Sequence, residues 1–281
     1  MRRLLVAVLS LVTISVSAQI ENDKNVFNHL SVGLNLGTRG IGFEVGTTIC
    51  PFVTMRIGGD FLPQFKVDKS INVDRPAALD KVPASILSER YVDIPENGVD
   101  INVTGKPNMN QGKILFDIYT GKNSMFHFTV GGYFGPSKAI RVKALDRAIA
   151  AVELYNQDIA NGVIMPEPGY EDGINIDLEG YSLTPDKGRV ALDMKVNGFR
   201  PYIGFGVGRT VPRKRVGCKL DVGVEFWGKP EIIDRYGDGG KGHVITKNEP
   251  GISKDFQDVV KTVGGIPVYP TLKFSIFGRI F

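Results

Sequence analysis

The chain has three histidines, two cysteines and a few clusters of charge with which to do chemistry. His29 and Ser31 fall on one face of an alternating segment, the pairing a serine nucleophile would need. No acid is placed to orient the imidazole, so the pair is weak as a catalytic dyad. His127 sits among alternating polar positions and reads as a hydrogen-bonding residue. His243 follows the glycine-rich run from Gly237 to Gly242. That run lacks both the spacing and the following helix of a phosphate loop, and reads as a turn. Asp172, Asn175, Asp177 and Glu179 form an acidic cluster without calcium-loop spacing, so it reads as a solvated loop. Arg209, Arg213, Lys214 and Arg215 form a basic cluster in a short connection, which reads as a solvated turn beside anionic headgroups. Cys50 and Cys218 lie on segments too far apart for a disulfide. Together these residues imply no catalytic site, no metal and no cofactor.

One charge pattern does stand out. Glu44, Asp60, Asp117, Asp221 and Glu225 share the polar parity of alternating segments with Arg56, Lys113, Arg200, Lys219, Lys273 and Arg279. Opposite charges on one parity can form a paired network, provided that parity faces a closed interior. The elements that carry them therefore matter most.

Eight segments alternate apolar and polar residues with period two: 29–37, 40–49, 52–62, 112–120, 125–135, 198–209, 216–227 and 269–281. Each is long for an ordinary strand and right for a tilted membrane strand. Every second connection is short: the turn at Cys50–Phe52, the run Gly121–Ser124, and Thr210–Val216. Gly37–Gly40 is short too, while Gln64–Gln111, Pro136–Asn197 and Gly228–Val268 are long. Within the long connections, Ala139–Ala160 has helical spacing and Ser253–Val263 reads as a short helix capped by Ser253. Asp100–Thr104, Ile174–Leu178 and Val190–Val196 alternate like strands that extend the wall. Met1–Arg3 followed by an apolar run and Val16-Ser17-Ala18 reads as a signal peptide over 1–18, leaving 19–281 as the barrel.

These features lead to an all-β fold: an eight-stranded antiparallel up-and-down transmembrane barrel, with long extracellular loops carrying short helices. Short turns at one end and long loops at the other is the arrangement of outer-membrane barrels. The chain resembles the small eight-stranded outer-membrane barrels of Gram-negative bacteria, of which the OmpA-type transmembrane domain is the familiar member. The resemblance rests on the signal segment, the eight strands, the loop asymmetry and the final stretch Leu272–Phe281, and it covers the wall but not the long loops. It implies that Phe281 is the signal read by the barrel-assembly machinery. The family's terminal aromatic points outward, yet Phe281 shares parity with Lys273 and Arg279, so a bulge or fraying near Gly278 is expected. The chain stops on its last strand, so no appended peptidoglycan-binding domain is expected.

A soluble lipocalin-like barrel keeps its apolar parity inside, and a membrane barrel keeps it outside. Three features favour the second. Phe61, Phe134, Phe199 and Phe226 lie on the apolar parity near the long-loop ends, as interface aromatics would. The polar parity is rich in glycine, which suits a cramped interior. Its charges nearly balance. A formal charge of +4, with Arg2 and Arg3 in the removed segment, excludes nucleic-acid binding by bulk electrostatics. The reading is an outer-membrane scaffold, termini periplasmic, its lumen plugged by a charge network. Its partners are then outer-membrane lipid, the assembly machinery and an envelope or host-surface ligand met by the loops. The alternatives are a narrow conduit or a subunit of an export or uptake assembly and, third, a lipid-modifying enzyme.

Overall fold

A computed structural model describes residue 27 and residues 29–63, 67–73, 99–145, 147–163, 165 and 176–281. In chain order it begins β1 (Leu30–Gly37), β2 (Gly40–Cys50), β3 (Val53–Phe61), β4 (Val67–Val73) and β5 (Val99–Pro107). There follow β6 (Gln111–Tyr119), β7 (Phe126–Phe134), β8 (Lys138–Leu145) and helix α1 (Arg147–Ala160). Next come β9 (Ile176–Leu178), β10 (Tyr181–Leu183), β11 (Arg189–Lys195), β12 (Phe199–Gly208) and β13 (Val216–Phe226). The chain ends through β14 (Glu231–Asp234), β15 (His243–Ile245), helix α2 (Lys254–Gly264) and β16 (Val268–Arg279).

Eight of these strands close on themselves in the order β1-β16-β13-β12-β7-β6-β3-β2. Every neighbour pair is antiparallel, so the barrel is an up-and-down meander sealed by β1 against β16. The alternation in sequence becomes two faces because successive side chains on a strand point oppositely. Here the polar face is inside. Arg56, Asp117, Arg200 and Glu225 are 0% exposed, whereas the wall residues Leu34 and Leu36 are 68% and 62% exposed. That is the reverse of a water-soluble barrel. Among the described residues, no helix is long and apolar enough to cross a membrane.

Beyond the rim the wall continues. A second, six-stranded sheet runs β15-β14-β11-β8-β5-β4. Its ladder joins that of the barrel through Gly135 N to Gly198 O at 2.9 Å, Val196 N to Ser137 O at 2.7 Å and Asn197 N to Trp227 O at 2.8 Å. This outer sheet has its own apolar core, built from Ala144, Ile149, Tyr181, Leu183, Val190, Ile245, Ile252 and Phe256. Helix α1 packs on β11 and α2 on β14, each burying one apolar side. Helix α2 starts where its cap dictates: the Ser253 side chain accepts from Phe256 N at 3.1 Å, with Asp255 in the first turn and Lys261 in the last.

One expectation is corrected. Helical spacing over Ala139–Ala160 holds only from Arg147 on, because Lys138–Leu145 is strand β8. Ile140 and Ala144 suit either period. Pairing of β8 with both β11 and β5 decides, and Ile140 and Val142 are β-branched. Residues 1–26, which include the signal segment, and residues 166–175, which include Asp172 and Asn175 of the acidic cluster, lie outside the described residues.

Candidate functional site

Among the described residues, the barrel interior holds the densest cluster of buried polar side chains. Its side chains are aimed there by strand parity, and turn geometry sets their register. The tight turn after Cys50 places Thr48 opposite Thr54, Gly46 opposite Arg56 and Glu44 opposite Gly58. Arg56 thus lies diagonally across from Glu44, within reach of a long side chain.

At mid-height three carboxylates converge on Arg56. Its guanidinium lies 3.0 Å from Asp117, 2.9 Å from Asp221 and 3.2 Å from Glu44. Lys219 closes onto Asp117 and lies 3.4 Å from Asp221. Glu44 is shared further, with Lys113 and Lys273 each at 2.6 Å. Lys113 also pairs with Asp60. His127 Nε2 faces Asp221 at 2.9 Å, and Thr129 donates to Asp117 at 2.7 Å. All of these groups are buried. A charge removed from water costs several kcal/mol unless paired, so a network this deep persists only because nearly every member meets an opposite charge. Asp117, His127 and Asp221 hold their ligand atoms within 4.8 Å of one another, which by spacing alone suits a metal. Arg56 and Lys219 already neutralise the two carboxylates, so a metal ion would first have to displace a buried cation.

The upper ring was only partly visible in the sequence. Arg39, from the β1–β2 turn, folds back into the mouth and pairs with Glu225 through two nitrogens, one at 2.9 Å. Its guanidinium lies 3.8 Å from the ring centre of Tyr269, which stacks on Trp227 at 4.9 Å. Arg200 donates to Gln111 Oε1 at 2.9 Å, to Asn197 O at 2.9 Å and to Pro136 O at 2.7 Å. A void of ≈ 10 Å³ between Asn35, Arg39, Tyr133 and Lys273 has room for about one water.

The opposite end is closed by the β12–β13 turn. Thr210 is 0% exposed and fixed by four bonds. Its N–H donates to Tyr119 Oη at 3.0 Å, its carbonyl accepts from Ser31 Oγ at 2.7 Å, and its hydroxyl donates to Asp117 at 2.6 Å and accepts from Lys219 at 3.0 Å. Gly46 makes room for it: a Cβ there would lie 2.2 Å from Thr210 Cγ2. Arg209 Nη1 donates to the carbonyls of Lys122 and Ser124, both at 3.1 Å, latching this turn to its neighbour. Ser31 Oγ is thus engaged with the carbonyl of Thr210 in this closure.

Of the eleven charges on the polar parity, ten are buried in the lumen, and Arg279 is not. The β1–β16 ladder ends at Ser31 opposite Arg279, and there the side chain leaves the barrel for solvent. Arg39 takes its place, so six cations still face five carboxylates. It was missed because it lies in a turn, where parity says nothing. Phe277 was missed too: it points inward at 0% exposure, opposite Gly33, where a Cβ would lie 2.5 Å from its ring. The pairing runs to Arg279 without a bulge, and Phe281 lies past the strand end at 39% exposure. Phe61, Phe134, Phe199 and Phe226 all face outward, with Phe134 and Phe199 in ring contact at 5.0 Å. Cys50 is half-buried and Cys218 exposed, both as free thiols.

In the outer sheet His243 bridges Asp238 at 3.1 Å and Glu249 at 3.2 Å. These hydrogen bonds, Asp238's first, raise the imidazole above its ordinary value. Burial pushes Glu249 up, but His243 and Thr246 outweigh it and hold the carboxyl low. Asp193 is likewise held low against its burial, by Arg235 and Lys138.

No protein-family model matches the chain, and no curated protein sequence does. Solved structures similar in shape include two from one organism. CarO2 of Acinetobacter baumannii is 13% identical with a TM-score of 0.44, over 89% of this chain and 98% of that one. CarO of the same organism is 12% identical with a TM-score of 0.42, over 91% and 99%. At that distance, the chemistry of this lumen rests on its own residues.

Proposed function

We propose that this chain is an outer-membrane scaffold: a barrel closed by its own charge network that carries a folded platform on the cell surface. One observation carries the reading. The barrel buries its charges, exposes an apolar belt, and continues into a second sheet with a separate core. A continuous apolar belt of this size is unstable in water and stable in lipid, where a closed barrel leaves no edge unpaired. The signal segment directs the chain to the envelope. The even strand count returns both termini to the periplasmic end, and Phe281 is read there during assembly. The outer sheet and its helices then stand outside the cell and meet a ligand or an envelope partner.

The test is fractionation. The mature chain is expected in outer membranes, with gel mobility that changes on boiling in detergent. Recovery as a soluble periplasmic protein would end the reading. Co-purification from gently solubilised membranes then separates a lone scaffold from a subunit of an assembly. One feature favours a second reading, that of a narrow conduit: among the described residues, the turn Thr210–Pro212 is what seals the lumen at the short-turn end. Enzymatic activity is not part of the proposal, because Ser31 is committed to Thr210 and His127 to Asp221.

A further inference from the structure

At the short-turn end, a cavity of ≈ 340 Å³ opens between the β12–β13 turn, the β6–β7 turn and the ends of β1 and β16. His29, Lys122, Arg209, Arg213 and Arg279 line it, and its other lining residues are uncharged. The contrast with the lumen is the point. There the cations Arg39, Arg56, Lys113, Lys219 and Lys273 each face a carboxylate. Here four permanent cations from three separate parts of the chain face one space that, among the described residues, no carboxylate lines.

Among the described residues, no carboxylate pairs with these cations. Arg209 spends Nη1 on two carbonyls, while its buried Nε has no partner. Arg213 Nη2 donates to Lys122 O at 3.2 Å and to the side-chain oxygen of Asn123. Carbonyl and amide oxygens therefore position the Arg209 and Arg213 forks and leave their charge to act on whatever enters. A cleft lined by one sign of charge concentrates counter-ions. Guanidinium forks match the tetrahedral oxygens of a phosphate, and a phosphate has enough oxygens to meet donors arriving from several directions. The volume sits at the small end of the range for ligand pockets, roughly 300–1,000 Å³.

We propose that this basal cavity binds a phosphate-bearing anion, either free in solution or as the headgroup of a phospholipid in the adjoining leaflet. The proposal is independent of what the outer sheet contacts.

The experiment titrates inorganic pyrophosphate into the folded mature chain in zwitterionic detergent with ~150 mM chloride, a concentration at which surface charge is largely screened. The expected result is saturable one-to-one binding. R213Q/R279Q lowers the affinity at least about tenfold, a loss of ~1.4 kcal/mol. K214Q removes a cation of the same turn that does not line the cavity, and changes it less than about twofold. Arg279 is exposed at the strand end, so R279Q alone, expected to lose about threefold, serves if the double variant does not fold. A second arm places the protein in phosphatidylcholine nanodiscs with and without phosphatidylglycerol and weighs it by native mass spectrometry. Retained phosphatidylglycerol that pyrophosphate displaces supports the headgroup form. Pyrophosphate binding without retained lipid supports the free anion. No saturable pyrophosphate binding and no retained phosphatidylglycerol would overturn the proposal. So would an equal loss in K214Q, which would reduce the effect to bulk charge.

Discussion

Glu44 is the hinge of the lumen's charge balance, and removing its charge alone is the sharpest perturbation available. It is 1% exposed and shared by Arg56, Lys113 and Lys273. In E44Q, Arg56 keeps Asp117 and Asp221, and Lys113 keeps Asp60. Lys273 is left with Asp221 at 4.0 Å. One buried cation is thereby stranded, a loss of about 3 kcal/mol, at the low end of what breaking a buried pair costs. K273M is milder, ~1–2 kcal/mol, because Glu44 keeps two other cations. If the pair acts as described, the double variant loses less than the sum by about 1–2 kcal/mol. Urea unfolding in lipid vesicles reads this through Trp227, the chain's one tryptophan, buried at the rim. Additivity within ~0.5 kcal/mol, or an E44Q indistinguishable from wild type, would refute the network as a stabilising unit.

Further outcomes follow from the same geometry. R56M removes the cation shared by three carboxylates and is expected to lower stability in detergent by about 3–5 kcal/mol, read by the boiling shift on gels. G46V drives a side chain into Thr210, and should cost about 1–3 kcal/mol and loosen the basal turn, read by hydrogen exchange at Val211. Protease added to intact cells should cut first within 64–111, 136–197 or 228–268; first cuts at 209–216 would mean the opposite orientation. His243, raised above 6.5, contributes most below that value and loses its contribution as pH climbs through its folded value. Glu249, lowered below 4.5, contributes above that value and loses it on acidification. Protection of the β14–β15 hairpin should therefore be greatest between roughly pH 4.5 and 6.5, and H243Q should flatten the profile.

What the sequence made legible, and what it did not, divides along strand parity. The eight barrel strands fall on the eight alternating segments because an exposed apolar face and a buried polar face demand opposite residues at every step. The register of β2 on β3 was readable because a tight turn fixes which residues oppose. Where parity lapses, so does the reading. Arg39 enters the lumen from a turn. Arg279 leaves it at a strand end. Phe277 breaks the alternation to fill the space its glycine neighbour leaves. The sheet above the rim was only partly visible, since short strands such as β14 and β15 carry too few residues for a period to show. Strand β8 shared its apolar positions with a helical face, and only its two partners resolved it. The inward fold of Thr210–Pro212 left no periodic trace at all, although Gly46 and Gly217 mark the room made for it.

The proposed scaffold requires that the barrel's own side chains and its basal turn close the lumen. Planar-bilayer recording of the refolded wild-type chain tests this most directly. No steady conductance is expected at either polarity, because Arg56, Asp117, Lys219 and Thr210 fill the cross-section with buried, mutually bonded groups. A large, stable, ohmic conductance would contradict it and establish the conduit in place of the scaffold.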